Sequence, residues 1–159
     1  MRAAMFIILV ILLASCDKNI VSTESFTFRE SGWPIRDAVN FKIQAPDTLN
    51  DYDLFINLRN NHDYAFDNLW LITEFKFPQG RTIIDTLQYA MVDNQGNFLG
   101  SGGNNIVENK LWYREGVRFR ESGTYQFTIR HAMRKAGSEE GLTTLPGVLD
   151  LGYSLEKKK

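Results

Sequence analysis

Cysteine is nearly absent from this 159-residue chain, in which Cys16 is the only one. A single thiol forms no internal disulfide, so the fold must rest on its core rather than on crosslinks. Histidine is almost as scarce, with His62 and His131 in different segments. Neither has a His, Cys or Glu at a spacing that closes a zinc site, so no metal ligand set is expected. No Gly-x-Ser-x-Gly elbow occurs, and Gly100 to Asn105 lacks the Gly-Lys-Ser/Thr and the following helix of a phosphate loop. Asp85 and Glu74 are the carboxylates a hydrolase would have to bring within about 5 to 9.5 Å of each other. An excess of positive charge is missing too. The formal net charge is −1, which argues against a nucleic-acid partner needing a basic face. The reading is therefore of a protein with no catalytic residue and no cofactor.

The apolar run that is present sits at the front. Ala3 to Leu13 follows the single positive charge of Arg2 and is far shorter than the ~20 residues that cross a bilayer. Such a run, ending in small residues, reads as a secretory signal peptide. Leu13-Ala14-Ser15-Cys16 resembles the lipobox of bacterial lipoproteins, with a Leu and two small residues before Cys. Cleavage before Cys16 would make residues 1–15 a lipoprotein signal peptide and Cys16 the lipidated N-terminus. Acyl chains contribute about 0.8 kcal/mol per buried methylene, so several of them anchor firmly. The expected location is the cell envelope, on the outer membrane facing the periplasm or on the inner membrane. Polar, aperiodic residues 16–25 are expected to be a tether, with one domain over 26–159.

Beyond the tether, alternation with a period of two dominates. In YDLFINLRN, Tyr52, Leu54, Ile56 and Leu58 share one side, while Asp53, Asn57 and Arg59 share the other. TYQFTIR alternates in the same way, and SFTFRE, VNFKIQA, NLWLITEFKF, RTIIDTLQYAMV, ENKLWYR and VLDLGYSLE complete eight candidate strands. Turn signals separate them, among them Pro78-Gln79-Gly80, Asp93-Asn94-Gln95-Gly96 and the run from Gly100 to Asn105. No amphipathic helix is visible. The pattern predicts an all-β fold, an antiparallel β-sandwich. Gly123, Tyr125 and Phe127 match the spacing of a tyrosine corner, which suggests an immunoglobulin-like order, with Phe127 in the place of a core cysteine and Trp70 packed against it.

Binding is the remaining chemistry. Trp33, Phe98, Trp112 and Tyr113 lie near turns or strand ends, where an aromatic ring can stack on a sugar or seat a partner. Trp112, Tyr113 and Phe98 are the candidate contacts. A glycan-binding envelope lipoprotein is thus an alternative to a protein-docking one. Arg114, Arg118, Arg120, Arg130 and Arg134 are interleaved with Glu115 and Glu121 and read as a solvated face of mixed charge.

Taken in order, several pieces resemble a known family. They are the Arg59 run ahead of Tyr64-Ala65-Phe66 and Asn68-Leu69, then Pro78-Gln79-Gly80, Asp85-Thr86, Gly96 with Leu99-Gly100, and Tyr125 to Arg134 ending in Ala132-Met133-Arg134. This combination, spanning roughly Phe41 to Leu155 behind a lipobox, resembles the GldH family of gliding-motility lipoproteins. The family's usual YPY stands here as Tyr64-Ala65-Phe66, and its Trp as Phe98. The resemblance implies a non-enzymatic envelope lipoprotein required for gliding motility and associated with the type IX secretion and motility apparatus. Its implied partners are a membrane, through the lipid, and other envelope proteins of that apparatus.

Overall fold

A computed structural model describes residues 19–29, 32–103 and 105–159. The signal peptide and Cys16 lie outside the described residues. Within them, alternation in sequence becomes alternation in burial. In VNFKIQ, Val39, Phe41 and Ile43 are buried, and Asn40, Lys42 and Gln44 are exposed. In TYQFTIRH, Tyr125, Phe127, Ile129 and His131 are buried between residues that reach toward solvent.

The strands, in chain order, are β1 (Ile20–Thr27), β2 (Trp33–Pro34), β3 (Val39–Gln44), β4 (Tyr52–Asn60), β5 (Asn68–Lys76) and β6 (Thr82–Ala90). They continue with β7 (Ser101–Gly102), β8 (Val107–Val117), β9 (Thr124–His131), β10 (Thr144–Leu145) and β11 (Val148–Lys157). One sheet has the order β1-β11-β4-β8-β7, a second has β3-β9-β5-β6, and β2 pairs with β10. Every pairing is antiparallel. The all-β sandwich is as the alternation predicts.

The strand order corrects the immunoglobulin-like expectation. There, the first strands of the chain pair with each other in the sheet ABED. Here β1 pairs with the last strand, β11, and inside that pair β3 joins β9, β4 joins β8 and β5 joins β6. The chain is thus one long hairpin rolled on itself, a jelly roll. Its tip is the turn after Phe77, where the Phe77 N–H donates to the Arg81 carbonyl at 2.7 Å and Gly80 adopts φ 94°. The tyrosine-corner bond nevertheless exists, since the Tyr125 hydroxyl donates to the Glu121 carbonyl at 3.1 Å. It is a local device that two topologies share.

The core lies between the two sheets. Phe75 is its hub, with ring centroids 5.5 Å from Tyr125, 5.6 Å from Phe77 and 5.7 Å from Phe127. Each such ring, fully buried, contributes about 1.5–3 kcal/mol. Trp70 does not join them. Leu69 and Leu71 point inward, so the residue between them must point out, and Trp70 is 37% exposed. The fully buried tryptophan is Trp33, whose ring N–H donates to the Asp37 carbonyl at 2.8 Å and whose ring stacks on Phe28. Packing requires a glycine at position 147, where φ is 78° and a Cβ would come within 2.1 Å of the Tyr64 backbone nitrogen.

The expected tether through Ser25 is also corrected. Ile20 to Ser25 are already in β1, paired with β11 from Glu156 to Gly152. Strand β1 is held by its backbone and by hydroxyls, such as Ser22 Oγ 2.7 Å from the Tyr153 hydroxyl oxygen and Thr23 Oγ1 donating to the Tyr153 carbonyl at 2.9 Å. As an edge strand exposed on nearly all its residues, it needs no apolar alternation, so its sequence does not announce it.

Candidate functional site

The outer face of the five-stranded sheet is built by register. Because β4 turns Tyr52, Leu54, Ile56 and Leu58 into the core, it must turn Asp53, Phe55, Asn57 and Arg59 outward. Arg59 lies opposite Glu108 on β8 and Asp150 on β11. Its guanidinium is 2.9 Å from an Asp150 oxygen and 3.6 Å from a Glu108 oxygen. Thr27 on β1 donates its hydroxyl to the other Asp150 oxygen. One row along, Asn57 lies between Lys110 and Gly152, and Ser25 faces Gly152. In the third row Phe55 lies between Trp112 and Ser154.

The first two rows make a groove of about 610 Å³, floored by Asn57, Arg59, Lys110 and Gly152, with Leu99 to Ser101 along one side. Trp112, in the third row, lies on the same face one row beyond the groove's lining and is 54% exposed. Its ring centroid is 4.3 Å from that of Phe55, and the Lys110 ammonium lies 4.3 Å above the same Phe55 ring. The Tyr89 hydroxyl donates to the Trp112 carbonyl at 2.6 Å. Burial pushes the Tyr89 phenol up to about 12, so it remains a protonated donor at neutral pH.

Tyr113 and Phe98 do not join Trp112 on this face. The register shifts between Leu54 and Phe55, which pair with Arg114 and Trp112 and leave Tyr113 as the extra residue of a bulge. Tyr113, two residues after Leu111, points inward, 4.7 Å from the Phe127 ring, with its hydroxyl donating to Asp85 at 2.9 Å. Burial raises its pKa, and the bond to Asp85 adds to the rise. Arg114 reaches the same Asp85 oxygen at 2.9 Å. Phe98 is half-buried against the core, its ring 5.7 Å from His62. Alternation in KLWYR gives the outward Trp112 and the inward Tyr113; the bulge decides that Arg114, opposite inward Leu54, reaches the same Asp85.

The carboxylate pair of a hydrolase is not formed. Asp85 pairs with buried Thr73, whereas Glu74, the next residue on β5, points to the other face of the sheet. Asp93 is used by its own turn, accepting from the backbone N–H of Gln95 at 2.8 Å and of Asn97 at 2.9 Å. His131 is buried beside Trp33, and burial lowers its pKa, a backbone group of Trp33 opposing in part. Among the described residues, no three His, Cys, Asp or Glu side chains gather as a metal site.

A family model described as GldH lipoprotein matches residues 20–155, from the first residue of β1 nearly to the end of β11. The chain belongs to the GldH lipoprotein family. This bears out the resemblance read from the residues. A GldH relative named gliding motility lipoprotein GldH homolog, from Christiangramia forsetii, is 48% identical over 152 residues, covering 96% of this chain and 93% of its own. The gliding motility lipoprotein GldH of Flavobacterium johnsoniae is 38% identical over 157 residues, covering 99% and 97%. Among solved structures, a family GH115 4-O-methyl-alpha-glucuronidase, BtGH115A, aligns with a TM-score of 0.42 and 15% identity. That alignment covers 91% of this chain and 18% of the glucuronidase, and it carries no argument.

Proposed function

We propose that this chain serves gliding motility as a lipid-anchored envelope protein that docks other proteins of the gliding and type IX secretion machinery and catalyses no reaction. The relatives' names support the motility role. The observation that supports docking is strand β1. It is the edge of its sheet, it is eight residues long, and it carries no Lys or Pro that would blunt pairing with another chain. The Phe28 N–H donates to the Leu149 carbonyl at 2.8 Å. Alternation then sends the N–H groups of Phe26 and Glu24 toward β11, and those of Thr27, Ser25 and Thr23 toward the open edge. That edge is a template for an added strand of a partner protein.

The anchor fixes where this edge works. With lipid on Cys16, only three residues separate it from Ile20. A fully extended chain covers at most ~3.6 Å per residue, so β1 begins within about 14 Å of the lipidated residue. A partner strand would be met close to the membrane surface.

Phe26→Lys and Ser25→Pro, introduced at the chromosomal locus, test the reading. Colony spreading should be lost and in-cell crosslinks to envelope proteins should disappear, while protein abundance is retained. Wild-type spreading and crosslinking in both variants would remove docking through β1. Wild-type spreading in a deletion strain would remove the motility role itself.

A further inference from the structure

The groove on the outer face of the five-stranded sheet is bounded by Thr23, Glu24 and Ser25 of β1. A strand added at the β1 edge would pair with backbone rather than enter the groove, whose chemistry is of another kind. Both cations of the groove are engaged: Arg59 lies between Asp150 and Glu108, and the Lys110 ammonium is 2.6 Å from a Glu156 oxygen. Glu24 adds a further carboxylate to the lining, so an anion meets no free positive charge there. The face instead offers directed donors and carboxylate acceptors, which suits an uncharged ligand rich in hydroxyl groups.

The floor agrees with that. Gly152 and Ser25 put no bulky side chain in the middle of the groove, which keeps its floor low. Asn57 adds an amide, which both donates and accepts. Trp112 adds the flat apolar surface, and Phe55 beneath it keeps the indole in place. Rows on one face of a strand are two residues apart, about 6.8 Å, so the distance from Trp112 to Arg59 spans about 13–14 Å. The groove's 610 Å³ falls within the ~300–1,000 Å³ usual for ligand sites.

We propose that this face binds an uncharged oligosaccharide, with one ring stacked on Trp112 and the following units hydrogen-bonded by Asn57, Arg59 and Asp150. Trp112 supplies affinity through the C–H face of the sugar, and the amide and the clamped arginine–carboxylate pair supply orientation. The proposal is independent of docking through β1.

The test uses the full mature lipoprotein in a detergent without a sugar headgroup, titrated calorimetrically with cellohexaose, laminarihexaose, mannohexaose, xylohexaose and chitohexaose. Saturable binding of at least one of these is expected. Trp112→Ala and Asn57→Ala should each weaken it about tenfold or more, which is 1.4 kcal/mol. Trp70→Ala, which removes an exposed indole from the other sheet, and Phe26→Lys, on the docking edge, should leave it unchanged. Absence of saturable binding across the panel would overturn the proposal. So would binding that Trp112→Ala and Asn57→Ala, both with wild-type melting temperatures, leave intact.

Discussion

Strand β4 presents opposite chemistry on its two faces. Inward it shows Tyr52, Leu54, Ile56 and Leu58, each 2% exposed or less, and outward Asp53, Phe55, Asn57 and Arg59. The inner face meets the second sheet, where apolar side chains fill the space at crystal-like density and a lost group leaves a cavity. The outer face meets solvent, where paired charges and hydroxyls cost little to keep and a lost group is replaced by water. Its one ring close to the sheet, Phe55, stays covered only because Trp112 and Lys110 lie over it. The inner face therefore sets stability, and the outer face is free to serve recognition.

The largest effects are expected inside. Phe127→Ala removes a ring packed against Phe75 and Tyr113 and should cost about 3–5 kcal/mol in urea unfolding. A loss below about 1 kcal/mol would mean that the two sheets close over the gap. Next comes the buried polar pair at the end of β4, where the Asn109 amide donates to Asn60 Oδ1 at 2.7 Å and to the Leu58 carbonyl at 3.2 Å. Asn109→Ala orphans both acceptors and should cost about 1–3 kcal/mol by the same measurement.

Acid should weaken the fold at two points, with the same sign at each. Burial holds the His131 pKa below its ordinary 6.5, so the unfolded chain binds more protons there and stability falls as pH drops through 6.5. His131→Gln should flatten the unfolding midpoint between about pH 7.5 and about pH 5.5. Asp47 accepts from the Tyr52 hydroxyl and from Asn50, which hold its carboxyl well below the ordinary 3.8. Its contribution is complete above that value and is lost as pH falls below it toward the folded-state pKa. Asp47→Asn should thus lose its disadvantage against wild type in strongly acidic buffer.

The smallest stability effect is expected on the outer face. Trp112→Ala should shift unfolding by no more than about 0.5 kcal/mol, as is usual for an exposed site, while abolishing most sugar binding. A loss of 2 kcal/mol or more would show that Trp112 acts as a lid on Phe55, and that the division between the two faces of the sheet fails there.

Much of the fold is legible in the residues because a strand's side chains obey one rule. Seven of the eight long strands coincide with alternating segments. Strand β1 is displaced from the predicted SFTFRE because an edge strand held by backbone pairing has no buried face to write into its sequence. The same rule turns Trp112 outward between Leu111 and the inward Tyr113, and it turns Trp70 outward between Leu69 and Leu71. Trp33 escapes it, since a two-residue strand has no period. The site is less legible. Arg59, Asp150 and Glu108 are far apart in sequence, and no spacing along the chain brings them together.

By itself, the sequence determined an all-β chain, the faces of its longer strands, its turn at Pro78-Gln79-Gly80 and its family. These follow from local sterics and from the need to bury one face of each strand. Tertiary structure alone decided that β1 closes against β11 to make a jelly roll, that a bulge brings Arg114 to the same Asp85 as Tyr113, and that strands from distant parts of the chain form one polar groove near Trp112. Those outcomes depend on which strands become neighbours and in what register. Pairing between strands is a property of two segments at once, and neither carries it alone.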